Sequence, residues 1–283
     1  MSPSRRIPRD ARDVTAGGVR VRAVASGARE HPPLLLLHGF LADHSSFDDV
    51  VDRLSERYYV VTPDLPGFGE SEKPSPTHFP YGVERFSECV ADLIAAFELG
   101  RVHLLGHSMG GAVALTLAAQ HPELVQRLVL VDPLIYPLVL RGPLRMPLWP
   151  VVGPFLFKQL YGRAMFRAHF REGVYEPGHL VNLPRVDALY DKFNVPAARE
   201  SAYATLKTLE DTRVTTARLG RVRAPVLVVW GRNDALTDVQ NAQRLVKDLF
   251  DARLCLIDCG HSPHEERPTE LGNAVVTFLE GLR

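Results

Sequence analysis

The sequence predicts an α/β protein with a mostly parallel central sheet that helices cover on both faces. Short, continuous apolar runs alternate along the chain with segments whose apolar residues recur at helical spacing. Continuous apolar runs are typical of strands buried on both faces, and strands that alternate with helices favour a parallel sheet. The 283 residues, 46% of them apolar, have an ordinary globular composition and suffice for one large domain or a core with an insertion.

The predicted elements follow one another in a regular order. Residues 19–25 alternate apolar and polar side chains, as in a half-exposed edge strand, and the preceding Ala16-Gly17-Gly18 predicts a hairpin turn. Continuous apolar runs predict further strands over residues 34–37, 58–62, 102–105, 128–131, 226–230 and 254–257. Helical spacing predicts helices over residues 47–57, 81–99, 112–120, 239–249 and 270–282.

The interval from residue 134 to residue 212 breaks this alternation. Prolines crowd its first part at positions 137, 143, 147, 150 and 154. Helix-like segments follow over residues 155–170 and 197–211, with no clear strand. We therefore divide the chain into a core, residues 1–133 and 213–283, and a helical cap, residues 134–212. Such a cap would lie over the carboxyl ends of the strands, where open α/β sheets bind ligands.

Aromatic residues are frequent in the predicted cap and are candidates for an apolar substrate pocket. They are Trp149, Phe155, Phe157, Phe166 and Phe170. Each could instead pack into the core of the cap itself, but together they suggest a pocket for a medium-length or bulky apolar group. The prolines interrupt any continuous amphipathic helix in this stretch, which argues against contact with a membrane surface.

Charge and cysteine usage exclude several other classes of protein. Lys and Arg together number 33, as do Asp and Glu, so no net charge attracts nucleic acid. The three cysteines match neither a disulfide framework nor a zinc site, and reduced thiols favour a cytoplasmic location. The basic N-terminal segment lacks the apolar stretch of a signal peptide, and no apolar run reaches the ~20 residues that span a bilayer. We expect a monomer or a homodimer.

The most informative motif is Gly106-His107-Ser108-Met109-Gly110-Gly111, between a predicted strand and a predicted helix. A serine flanked by glycines at such a turn is typical of a nucleophile elbow, in which a strained backbone projects the hydroxyl away from the sheet. Gly106 and Gly110 avoid collisions across the turn. The helix that follows directs its free N–H groups at charge developing on a substrate.

A serine nucleophile needs a base and a group that orients the base. His261 follows the predicted strand 254–257 in a loop and is the candidate base, with His264 as its nearest rival. Asp234 follows the strand 226–230 and is the candidate orienting acid, with Asp132 as a second candidate. The order Ser, Asp, His is the one expected for this elbow in an α/β sheet.

The loop after the strand 34–37 is the expected source of an oxyanion donor. Its residues are His38-Gly39-Phe40. Gly39 permits a close approach of the backbone to the substrate, and the N–H groups of Phe40 and Met109 would form the oxyanion hole. We expect His38 to brace this loop at the substrate site rather than to act as the base. Glycines in the segment 64–71 suggest a structural turn, because no Lys-Ser/Thr pair of a phosphate loop follows them.

Taken together, these segments resemble the α/β-hydrolase superfamily. The resemblance rests on 38–40, 64–71, 106–111, 231–234 and 260–268, and covers nearly the whole chain outside the cap. It implies the fold and a Ser-His-Asp triad, but esterases, lipases, lactonases, C–C bond hydrolases and peptidases share these motifs. Ser108 in place of Asp differs from haloalkane dehalogenases and epoxide hydrolases. Ser262 differs from the Trp that many meta-cleavage C–C hydrolases carry, and no His-Gly-Gly-Gly stretch of the hormone-sensitive-lipase branch is present.

The sequence thus predicts a serine hydrolase that cleaves carboxylic esters through an acyl-enzyme. Its substrate would be a small ester with an apolar acyl group, and the reaction needs neither a cofactor nor a metal. A C–C bond hydrolase or a lactonase with the same triad is an alternative. For the C–C reaction, Arg141, Arg145 or Arg163 could bind a substrate carboxylate. A non-catalytic ligand receptor with this fold is a further alternative.

Overall fold

The computed structural model describes residues 8–137, 148–149 and 151–282, and these are built around one mixed sheet. In this part of the chain the sheet has eight strands in the order β1-β2-β4-β3-β5-β6-β7-β8. They are β1 (Arg9–Ala16), β2 (Val19–Ser26), β3 (Pro33–Leu37), β4 (Tyr59–Pro63), β5 (Val102–His107), β6 (Val125–Val131), β7 (Val226–Gly231) and β8 (Ala252–Ile257). β1 and β2 are antiparallel to their neighbours, and β3 to β8 are parallel. The predicted fold class is confirmed.

Helices cover both faces of this sheet. Those described are α1 (Asp48–Ser55), α2 (Val83–Ala96), α3 (Met109–Gln120), α4 (Val152–Phe155), α5 (Arg163–His169), α6 (Leu183–Phe193), α7 (Pro196–Leu209), α8 (Arg213–Thr216), α9 (Gln240–Asp248), α10 (Pro263–Glu266) and α11 (Pro268–Leu279). In β3, Leu35 and Leu37 belong to the core that includes α2 and α3, while Leu34 and Leu36 pack with α1 and α11. This two-sided burial explains why the strand has no polar alternation.

The edge strand β1 has no counterpart among the predicted elements. Its first three residues are exposed and it carries four charged side chains, so no apolar pattern marks it in the sequence. It forms through pairing with β2, to which Gly17 and Gly18 connect it with φ values of +59° and +70°. Two successive positive φ values are typical of the tight turns in β-hairpins.

The chain between β6 and β7 carries helices α4 to α8, and no strand lies among its described residues. The predicted helix 155–170 is interrupted at Gly162, which has an extended backbone and directly precedes α5. Wide, π-helical turns over Leu156–Leu160 and Phe170–Val174 follow α4 and α5. α6 was not predicted, although Asn182 caps it by accepting a hydrogen bond from the Arg185 N–H. Among the described residues, no helix is both long and apolar enough to cross a bilayer.

Candidate active site

Ser108 lies at the sharp turn between β5 and α3 with an unusual backbone conformation, φ +52° and ψ −117°. A Cβ on Gly106 would lie 2.2 Å from the Gly110 carbonyl oxygen, and one on Gly110 would lie 2.2 Å from that of Leu37. No side chain fits at either position, because the backbone segments of the turn and of β3 are in direct contact. The two glycines therefore allow the tight turn that presents the Ser108 hydroxyl.

The structure brings Ser108, His261 and Asp234 into one hydrogen-bonded chain. His261 Nε2 lies 2.9 Å from Ser108 Oγ, and His261 Nδ1 lies 2.7 Å from Asp234 Oδ2. The three residues follow β5, β8 and β7, whose carboxyl ends meet at one edge of the sheet. With Nδ1 donating to the carboxylate, Nε2 is free to accept the hydroxyl proton.

Asp234 has the surroundings of an ionised carboxylate. Its Oδ1 accepts the backbone N–H groups of Leu236 and Thr237 at 2.8 and 2.9 Å, and its Oδ2 accepts the Thr237 hydroxyl. Burial acts to raise the pKa of Asp234. The charge of His261, its hydrogen bond and the hydrogen bonds from Thr237 oppose this effect, and the pKa is lowered overall. Sequence reasoning did not identify Thr237, although a threonine three residues after an aspartate is typical of a side-chain-capped turn.

The alternative candidates Asp132 and His264 lie beside the hydrogen-bonded residues Ser108, His261 and Asp234. Among the described residues, neither side chain forms a hydrogen bond to Ser108 or His261. Asp132 is fully buried, and its Oδ1 accepts the Gly231 N–H at 2.8 Å. Burial first, and then the charge of Asp234, raise the pKa of Asp132 well above its usual value. The ring of His264 packs 4.3 Å from that of His107, and burial first, then the charge of His261, lower its pKa to about 3.

The loop after β3 passes directly against the serine. A Cβ on Gly39 would lie 3.2 Å from Ser108 Cβ, so the backbone of this loop approaches the hydroxyl closely. Neither the Phe40 N–H nor the Met109 N–H donates to an acceptor in the described part of the chain. Both N–H groups are thus available to a developing oxyanion.

His38 and Gly39, which were expected at the substrate site, do not line the cavity. His38 is buried, with Nδ1 donating to the Gly39 carbonyl at 2.8 Å and Nε2 accepting the Leu65 N–H at 2.9 Å. Both ring nitrogens are occupied, so His38 connects the loop after β3 to the loop after β4. Substrate contact by His38 and Gly39 is therefore corrected, whereas the two hydrogen bonds of His38 agree with the bracing role expected for it.

A cavity of about 550 Å³ lies over Ser108, between the sheet edge and the helices that follow β6. Most of its wall is apolar. The larger apolar side chains that line it are Phe40, Leu41, Leu134, Leu156, Phe157, Met165, Phe170, Val174, Leu206, Leu209 and Leu236. Such a cavity has the size and character of a small-molecule site.

Of the aromatic residues proposed for the pocket, Phe157 and Phe170 line the cavity, whereas Trp149, Phe155 and Phe166 do not. Trp149 and Phe155 are 47% and 59% exposed, because they lie on the solvent side of their segment. Phe166 is fully buried and stacks on Phe193, with 5.5 Å between ring centroids. Both residues lie in the core of the segment between β6 and β7, which we call the insertion. The expectation that these three side chains contact substrate is therefore corrected.

The insertion also contacts the loop that carries His261. The Val174 carbonyl accepts the His261 N–H at 2.8 Å, and a Cβ on Gly260 would lie 2.5 Å from the Glu176 nitrogen. Glu176 N–H in turn donates to Glu266 at 2.8 Å. No sequence pattern indicated these contacts, because the two segments are far apart in the chain and meet only in the fold.

Glu265 beside this contact is expected to make stability depend on pH. It accepts the Tyr175 hydroxyl and lies 3.3 Å from an Arg185 nitrogen, and burial raises its pKa from 4.5 to about 7. Since the folded state holds this proton more tightly, stability from proton binding is present below about pH 4.5 and is lost as the pH rises to about 7. At ~1.4 kcal/mol per pKa unit, the loss is about 3 kcal/mol.

Urea unfolding at pH 5 and pH 8 measures this effect. The free energy of unfolding of the wild type should fall more over this range than that of Glu265→Gln, in which the side chain cannot titrate. Glu98→Gln, at a side chain that is 81% exposed, serves as the control and should follow the wild type. Equal pH dependence in the wild type and Glu265→Gln would exclude Glu265 as the source.

Two groups of acidic and imidazole side chains are compact enough to hold a metal ion in the described part of the chain. One is Asp132, Asp234 and His261, where Asp234 and His261 are already hydrogen-bonded to each other. The other is Asp43, His44 and Asp64. In this group His44 Nδ1 lies 2.7 Å from Asp64, and Lys192 Nζ lies 2.6 Å from Asp43. Protein contacts therefore account for both groups.

The chain is similar to several known proteins in sequence and in structure. Residues 32–268 match a family model described as the alpha/beta hydrolase fold. A pimeloyl-[acyl-carrier protein] methyl ester esterase of Nitrosomonas europaea is 30% identical, over 84% of this chain and 92% of its own. The crystal structure of a membrane phospholipase A superposes with a TM-score of 0.82 and 30% identity, covering 96% of this chain and 86% of that one. A 2-hydroxy-6-oxo-6-phenylhexa-2,4-dienoate hydrolase from Rhodococcus has a TM-score of 0.83 and 26% identity, covering 97% and 99%.

Proposed function

The chain belongs to the α/β-hydrolase family and is a hydrolase of that fold, and from this premise we propose that it cleaves carboxylic esters through an acyl-enzyme. The observation that carries the proposal is the hydrogen-bonded chain Ser108–His261–Asp234, with distances of 2.9 and 2.7 Å, beneath an apolar cavity. Similar proteins named as a methyl ester esterase and a phospholipase support ester cleavage.

In the proposed mechanism Ser108 Oγ attacks the ester carbonyl carbon while His261 Nε2 takes its proton. The Phe40 and Met109 N–H groups stabilise the negative oxygen of the tetrahedral intermediate. When this collapses, the C–O bond to the alcohol breaks and His261 returns the proton to the leaving oxygen. A water molecule then attacks the acyl-enzyme while His261 takes its proton. As the bond between the acyl carbon and Ser108 Oγ breaks, His261 returns this proton to Oγ and the carboxylic acid leaves. Asp234 holds the histidine tautomer and stabilises the imidazolium.

The cavity wall favours an ester over the C–C alternative. A dienoate substrate carries a carboxylate, which a buried site would have to pair with a cation. Among the described residues that line the cavity there is neither Lys nor Arg. Arg163 pairs with Asp187 and Asp191 outside the cavity. Arg141 and Arg145 lie outside the described residues.

We propose further that residues 134–212 act as a cap that binds the acyl chain. Phe157, Phe170 and Leu206, all within this segment, face the cavity above Ser108. Burial of each additional methylene of an acyl chain against such a wall contributes about 0.8 kcal/mol. The site therefore favours medium-length acyl groups over acetyl.

A panel of p-nitrophenyl esters tests this preference. Butyryl and hexanoyl esters should exceed the acetyl ester in kcat/KM by about tenfold or more. Phe157→Ala should reduce this preference, whereas Phe155→Ala, at a side chain that is 59% exposed and outside the cavity, should not. A higher kcat/KM for acetyl would contradict the acyl pocket. Turnover of a dienoate but of no ester would favour C–C hydrolysis, and a folded protein without any turnover would favour a receptor.

A further inference from the structure

The apolar wall of the cavity contains a histidine to which the mechanism assigns no role. His169 ends α5 on the insertion and lines the same cavity as Ser108 and His261. Within four residues of it along the chain, the cavity is also lined by Met165, Ala168, Phe170, Glu172 and Gly173, and of these Glu172 alone is charged. In the described part of the chain, neither ring nitrogen of His169 forms a hydrogen bond. The ring packs edge-to-face on that of Phe170, with 5.6 Å between the ring centroids.

The other two non-triad histidines of the cavity differ from His169 in this respect. His107 donates from Nε2 to the His261 carbonyl at 2.7 Å, and its Nδ1 is enclosed by protein. His264 also has an enclosed Nδ1, and its Nε2 lies 3.8 Å from Glu265. Neither ring nitrogen of His169 is enclosed by protein in this way. The polar atoms of His169 are thus open to whatever occupies the cavity.

The charge state of His169 limits what it can bind. Burial first, and then the charge of His261, lower its pKa to about 4, so the imidazole is neutral at pH 7. A neutral imidazole offers one hydrogen-bond donor and one acceptor. It therefore suits an uncharged hydroxyl or carbonyl oxygen better than a carboxylate. A polar group on an apolar wall is costly unless a ligand or water satisfies it.

We propose that His169 is a specificity residue that hydrogen-bonds a second, uncharged oxygen group of the substrate, apart from the ester being cleaved. The preferred substrates are then esters with a hydroxyl or carbonyl on the acyl chain or on the alcohol, rather than plain alkyl esters. This inference rests on the proposed esterase function and narrows its substrate class.

Matched pairs of esters that differ only by a terminal hydroxyl or methyl group test the proposal. On the acyl side the pair is ethyl 6-hydroxyhexanoate and ethyl heptanoate. On the alcohol side it is 2-hydroxyethyl hexanoate and propyl hexanoate. For each pair, the kcat/KM of the hydroxyl ester is divided by that of the methyl ester, so that general effects on catalysis cancel. His169→Phe should lower this ratio about tenfold or more for one pair, because a site built for a hydroxyl loses its partner.

Phe155→Leu is the control, since this side chain is 59% exposed and lies outside the cavity, and it should leave both ratios unchanged. His169→Leu serves as a second variant, and circular dichroism checks the folding of all three. Unchanged ratios in both His169 variants, with the methyl esters still hydrolysed, would overturn the inference and leave the esterase proposal intact. If the wild type hydrolyses no ester at all, the proposed function fails, and this inference fails with it.

Discussion

Replacing Ser108 by alanine is expected to lower kcat for an activated ester by a factor on the order of 10⁵ to 10⁶. The substitution removes the oxygen that lies 2.9 Å from His261 Nε2, so the acyl-enzyme cannot form. What remains is the modest rate enhancement from the oxyanion donors and substrate binding. The fold should be unaffected, because only an atom facing the cavity is lost and Cβ remains.

A fluorophosphonate provides an independent measurement of the same residue. Mass spectrometry should find a single adduct on the peptide that contains Ser108 in the wild type, and none in Ser108→Ala. Ser46 also lines the cavity, but its hydroxyl donates to the Asp43 carbonyl at 2.9 Å, so Ser46→Ala should still form the adduct. An adduct on another serine, or full activity in Ser108→Ala, would refute the mechanism.

Replacing Asp234 by asparagine is expected to lower kcat by about 10⁴. Asparagine keeps the shape of the side chain, but its amide can donate to His261 Nδ1 and then favours the tautomer with the proton on Nε2. That tautomer cannot accept the proton of Ser108. The carboxylate is also lost as a counter-charge to the imidazolium, in a site where Asp234 Oδ2 lies 2.7 Å from the ring.

Asp132→Asn is the matched control and should cost less than about tenfold in kcat. Burial and the charge of Asp234 raise the pKa of Asp132, which disfavours its charged form, and among the described residues its side chain bonds the Gly231 N–H and not His261. An amide keeps an acceptor for the Gly231 N–H, and asparagine tolerates the φ of +43° at this position. The measurement is kcat on one activated ester for both variants, with folding checked by circular dichroism. A larger loss in Asp132→Asn than in Asp234→Asn would reverse the two assignments.

Much of the parallel sheet could be predicted because its strands are buried on both faces. In β3, for example, four successive leucines have no exposure, and such a short apolar run is typical of a doubly covered strand. β1 was not predictable in this way, because its residues are largely exposed and it is held by backbone pairing with β2. The break at Gly162 was also missed, since its neighbours continue the apolar spacing of a helix.

Some residues of the candidate site could be predicted from the sequence, and others could not. The residues Ser108, His261 and Asp234 could be named from sequence because each directly follows a strand, and parallel strands end at one edge of the sheet. Which aromatic side chains face the cavity could not be named. Phe157 and Phe166 differ little in local sequence, yet one lines the cavity and the other is enclosed by Phe193 and its neighbours.

The sequence by itself therefore determined the fold class, the family and the candidate reactive residues, because burial periodicity and turn chemistry are local properties of the chain. Only the tertiary structure decided that the pKa of Asp132 is raised beside Asp234, that Val174 accepts the His261 N–H, and that His169 opens onto the cavity. These properties depend on desolvation and on contacts between segments distant in the chain. Both arise only when the helices after β6 pack over the sheet edge, and no local pattern encodes them.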